Sequence, residues 1–191
     1  MSLVDLIAGA DERALAASGL ACLDRCVPLL GGDDEVLRPL WASLVEGHEW
    51  EERLTKARAE LADADKTEGE AECASEAEAA QLARRMLDEV PARPSADAVR
   101  EWADACSVAA LRIHRLLDPT DNDDESSAAA RREGRTDGMS PLVAAELRRQ
   151  AAILELVTSH GTTGLRQALD LSTEGRRVLR AVVSRRARGR A

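Results

Sequence analysis

The chain has 191 residues, a formal net charge of −9, and neither Phe nor Tyr beside its 35 Ala and 25 Leu. Few β-branched residues and abundant Ala and Leu argue against a β-rich fold, and no run approaches the roughly 18 apolar residues a membrane span needs. Met1-Ser2-Leu3-Val4-Asp5 lacks the basic region of a signal peptide, and four scattered cysteines make no disulfide framework, so a reduced, cytoplasmic protein is expected.

In chain order the pattern predicts helix after helix. A short helix from Ser2 to about Ala8 precedes a longer one capped by Asp11, with Leu15, Leu20, Leu23, Val27 and Leu30 on its apolar side. Gly31-Gly32 ends it, and a helix over Val36 to Val45 runs back against it. After the break at Gly47, Trp50, Leu54, Ala57, Leu61 and Ala64 form a narrow seam suited to pairing with another helix, within the chain or between chains. Residues 68–75 are acidic and suit either a frayed end or the following helix. The next stripe, Ala79, Leu82, Ala83, Met86, Leu87 and Val90, stops before Pro91. Ser95 then caps the clearest amphipathic helix, with Val99, Trp102, Cys106, Ala109, Ala110, Ile113, Leu116 and Leu117 at helical spacing, and this helix is expected at the centre of the core.

Residues 118–138 hold seven acidic groups, three Arg and no Leu, Ile, Val or aromatic residue, which reads as a flexible acidic loop or linker. Ser140-Pro141 starts a helix that carries Val143, Leu147, Leu154 and Val157 to a stop at Gly161. A short helix over Leu165 to Leu171 and a final one from Thr173 complete the chain. The expected fold is an all-α, irregular antiparallel bundle of about six to eight helices. Residues 1–117 form its main body, and residues 139–191 pack back on it.

The charge is unevenly placed. Residues 175–191 carry seven Arg and no acidic residue, leaving 19 basic against 35 acidic groups elsewhere, a net of −16. Arg outnumbers Lys 24 to 2, which together with the Ala excess fits a GC-rich bacterial coding sequence. The final helix surrounds Val178, Leu179, Val182 and Val183 with Arg176, Arg177, Arg180, Arg185 and Arg186, the candidate partner-binding residues. Competing partners for them are the protein's own acidic helices, an acidic protein (another protein or a second copy of this chain), and the phosphates of nucleic acid or lipid. The first two fit a body that repels polyanions.

Leu165 to Val183 superficially resembles a helix-turn-helix, with Leu169-Asp-Leu-Ser172 at the turn. Arg166 and Arg176, however, stand where that motif buries Ala and Val. Trp102, Cys106 and His114 share one helix and could line a pocket; otherwise His114, one residue after Ile113 and beside the stripe, reads as a partly exposed boundary histidine. Cys22 and Cys26 stand at i and i+4, but a zinc site would need a second ligand pair, so core packing is the expectation. His48 lies among glutamates without the paired Glu-x-x-His units of a di-iron bundle. No cofactor, metal or catalytic motif is expected, since phosphate-binding, dinucleotide-binding and nucleophile-elbow patterns are absent. The function that fits is a non-enzymatic interaction or regulatory protein working through its basic C-terminal helix. A pocketed small-molecule binder or enzyme, and nucleic-acid binding through the Arg-rich segment, are the alternatives.

Overall fold

A computed structural model describes residues 1–65, 73–118, 127–135 and 137–189. Among these the chain is all-α: α1 (Leu3–Gly9), α2 (Glu12–Cys26), a 3-10 turn (Val27–Leu29), α3 (Arg38–Glu46), α4 (Trp50–Asp65), α5 (Ala74–Asp88), α6 (Ala96–Leu117), α7 (Ser127–Arg132) and α8 (Pro141–Arg188), with no strand.

Local chemistry sets the helix starts. The Ser2 hydroxyl accepts from the Asp5 N–H while the Asp5 carboxylate accepts from the Ser2 N–H, a reciprocal cap for α1. Asp11, Ser95 and Ser140 each accept a hydrogen bond from the third residue of α2, α6 and α8. Arg58 on α4 donates to the carbonyls of Leu87, Asp88 and Val90, covering the C-terminal end of α5 where a cation is favoured.

The centre of the core is α2, not α6. Every residue from Ala14 to Cys26 is buried, and α2 packs against both α6 and α8. A helix apolar on all sides is a buried one, and the small residues Ala14, Ala16, Ala17, Ser18, Gly19 and Ala21 let neighbours approach from every direction. The α6 stripe is buried as its spacing requires, but α6 is one wall around α2.

The C-terminal region is a helical hairpin. At Gly161 the backbone takes φ 53° and ψ −126°, which separates a proximal arm (residues 141–160) from a distal arm (residues 162–188). An L side chain rarely adopts that conformation. At Gly164 a Cβ would stand 2.2 Å from the Leu156 carbonyl oxygen, so the reversal needs both glycines. Farther along, Gly175 of the distal arm faces Arg149 of the proximal arm. The distal arm is one continuous helix, so the two separate helices expected around Leu171-Thr173, and the turn at Leu169 to Ser172, do not form.

Part of the expected acidic loop is also ordered differently. Residues 119–126 and 136 lie outside the described residues, but Ser127–Arg132 is a short helix in which Arg131 and Arg132 are buried. Arg132 pairs with Asp104 of α6, and Arg131 donates to the carbonyl oxygens of Arg135 and Asp137. The acidic stretch at 68–75 lies mostly outside the described residues, and α5 starts at Ala74.

Candidate functional site

Two adjacent charges on the central helix each grip one arm of the hairpin. Arg25 turns to the proximal arm, donating from Nε to Glu146 Oε2 at 2.8 Å and from Nη2 to Glu146 Oε1 at 2.5 Å. Both side chains are fully buried. Gln150 donates to Glu146 at 2.8 Å and accepts from the Ser107 hydroxyl of α6 at 2.6 Å. Gly175 makes the arrangement possible, because a Cβ there would stand 2.3 Å from Arg25 Cδ.

Asp24 turns to the distal arm. It accepts from Arg176 Nη1 at 2.7 Å and from the Ser172 hydroxyl at 2.7 Å, and Arg176 is 3% exposed. Burial pushes the Asp24 carboxyl above its usual value against the pull of Arg176 and Ser172. Burial would raise Glu146 too, but Arg25 and then His114 outweigh it and hold that carboxyl below the ordinary range.

The candidate partner-binding arginines therefore separate into two groups. Arg176 is inside the protein on Asp24. Arg180 pairs with Asp34, and Arg186 meets Glu76, the Leu117 carbonyl and the Ser75 hydroxyl. Arg177 and Arg185 are exposed and, among the described residues, no ion pair holds them. Arg188 is exposed in the same way. Positions 177 and 188 are eleven residues apart, about three helical turns, so they share one line along the distal arm, about 16 Å apart, with Arg185 beside it.

Trp102, Cys106 and His114 do come together on α6, and all three are buried, so His114 is not a partly exposed boundary residue: its ring turns inward between the Ala110 carbonyl and Glu146. The Trp102 ring lies over Gly19 and its indole N–H donates to the Met86 carbonyl at 2.9 Å. His114 Nδ1 is 2.7 Å from the Ala110 carbonyl, and Nε2 is 3.5 Å from Glu146. Burial pushes His114 below its ordinary value, the Cys22 thiol up to about 12, and the Cys26 and Cys106 thiols well above the usual range. Groups in these states are poor proton shuttles and poor nucleophiles.

The surface concavities lie elsewhere. A cleft of about 630 Å³ opens between the start of α2 and the α3–α4 junction, lined by Asp11, Arg13, Ser43, His48, Trp50 and Pro94. At its edge the ligand atoms of Glu46, His48 and Glu49 lie within 4.8 Å of one another. Arg53 bonds both carboxylates, at 2.7 and 2.5 Å, so one guanidinium offsets half of the pair's negative charge. A smaller groove runs between α3 and the distal arm.

Sequence reasoning missed the Arg25–Glu146 and Asp24–Arg176 pairs. A signal was present, since Asp24-Arg25 is the only charged pair between Ala14 and Leu30, a segment otherwise apolar or small. In comparisons with family models, curated proteins and solved structures, none matches this chain.

Proposed function

We propose that the chain is a cytoplasmic, non-enzymatic interaction or regulatory protein that meets an acidic partner protein along the exposed arginines of its distal arm. The observation that carries this reading is the division of labour within one helix. Arg176, Arg180 and Arg186 hold the arm to the body, while Arg177, Arg185 and Arg188 face outward on it. A helix anchored in this way presents its free cations in a fixed spacing, which lowers the ordering cost of binding. The packed surroundings of Trp102, Cys106 and His114 favour an interaction protein over an enzyme working at that place. Four free cysteines accord with a reducing compartment, and no described helix is long and apolar enough to cross a membrane.

Removing the whole tail is a poor test, because Gly175, Arg176 and Leu179 are buried. The informative variant is R177E/R185E/R188E in the full chain, compared with the wild type by affinity capture from a bacterial lysate. Loss of a specific acidic partner with unchanged helicity supports the reading, and an unchanged set of partners overturns it. Binding of duplex DNA by the wild type that persists at physiological salt would also overturn it, in favour of nucleic acid.

A further inference from the structure

The Asp24–Arg176 pair lines a small cavity between the turn before α3 and the distal arm, a volume of about 220 Å³. Leu169 is the one apolar residue of its lining. The charges around it cancel. Asp24, Asp34, Glu35 and Asp170 stand against Arg38, Arg176 and Arg177, and Arg180 adds a fourth guanidinium on Asp34.

Arg176 fixes the chemistry of the place. It is 3% exposed, yet among the described residues it makes one hydrogen bond, from Nη1 to Asp24 at 2.7 Å. Its Nε is sealed inside, 3.6 Å from Asp34. Nη2 is neither hydrogen-bonded nor sealed, and it stands 3.9 Å from Oε1 of Glu35, which shares the lining. That separation is too long for a hydrogen bond and suits a polar atom placed beside both, about 2.8 Å from each.

We propose that this cavity binds a small neutral polyol, the size of a single sugar ring or an inositol. The atom beside Arg176 Nη2 and Glu35 has to accept from the guanidinium and donate to the carboxylate. A hydroxyl does both. An ammonium group only donates and is repelled by Arg176, whereas a carboxylate only accepts and is repelled by Glu35. More than one hydroxyl is met, because Asp170 and Thr173 stand at i and i+3 of the distal arm and line the same cavity. Asp170 has no ion pair among the described residues, so its carboxylate is free to accept. Leu169 takes the C–H edge of the ring. The cavity equals about seven waters at roughly 30 Å³ each, which suits one ring and not a nucleotide or an oligosaccharide.

The test is saturation-transfer NMR on the full chain with myo-inositol and with D-glucose, beside three controls: cyclohexanol, glycine betaine and acetate. At least one polyol is expected to give a saturable signal, and the single-hydroxyl ring, the zwitterion and the anion are expected to bind more weakly or not at all. D170A removes an acceptor at an exposed position where Ala suits a helix, so the fold is spared, and it should weaken binding at least about tenfold. Thr173→Val removes a hydroxyl at nearly constant shape and should weaken binding by less. Circular dichroism of both variants should match the wild type. The proposal is overturned if neither polyol gives a saturable signal, so that the space holds water only, if any of the three controls binds as tightly as the polyols, or if D170A binds them like the wild type.

Discussion

Arg25 and Glu146, 121 positions apart, form a fully buried ion pair with two parallel hydrogen bonds between the central helix and the proximal arm of α8. A buried pair adds little over a well-packed apolar replacement, but removing one partner strands a charge. R25M or E146L alone should lose about 3–5 kcal/mol of unfolding free energy, whereas the double variant R25M/E146L should recover most of that loss. Urea unfolding of the four proteins gives the coupling directly.

Acidification should weaken the protein in two separable steps. His114 is held below its ordinary value of 6.5, mainly by burial, so the unfolded chain binds that proton first and stability falls as pH drops through and below 6.5. Glu146 is also held below its ordinary value of 4.5, and its contribution is present above that pH and lost as pH falls toward the folded value. Asp24 works in the opposite sense: its folded value is raised, so it gains relative stability as pH falls toward 3.8. Unfolding midpoints measured from pH 8 to pH 4 should show the first step in the wild type and lose it in H114Q.

The hairpin turn depends on Gly161 and Gly164. Gly161→Ala places a side chain at φ 53° and should cost about 1–3 kcal/mol. Gly164→Ala should cost more, because the Leu156 carbonyl it meets is backbone and cannot rotate away. Thermal unfolding of the two variants tests that order.

The four thiols should react at two rates. Cys73, at the start of α5, is partly accessible, and the Ser75 hydroxyl and the backbone of α5 hold its thiol below the ordinary value. Cys22, Cys26 and Cys106 are buried. A thiol reagent under native conditions should modify one cysteine per chain rapidly, and the other three only when the protein unfolds.

What was legible in the sequence was what depends on near neighbours. Ser95, Asp11 and Ser140 cap where their spacing to the apolar stripes requires, and the Val99 to Leu117 stripe is buried along α6. The prominence of α2 was hidden because, outside its leucine stripe, small residues such as Ala16, Ser18 and Gly19 are buried too and carry no periodic signal of it. Ser172 looked like a turn residue, but its hydroxyl is satisfied by Asp24 and the Ala21 carbonyl, and the helix runs on through it. The separation of Arg176 from Arg177 depends on a carboxylate 152 positions away, which no local pattern encodes.

The most direct measurement is urea unfolding of R176A beside R177A/R185A, because the account rests on these neighbouring arginines having different jobs. R176A should lose about 3 kcal/mol by leaving Asp24 buried without its cation, and R177A/R185A should stay within about 0.5 kcal/mol of the wild type. Equal losses, or a larger loss in R177A/R185A, would contradict the division of the basic helix into an anchored side and a presented one.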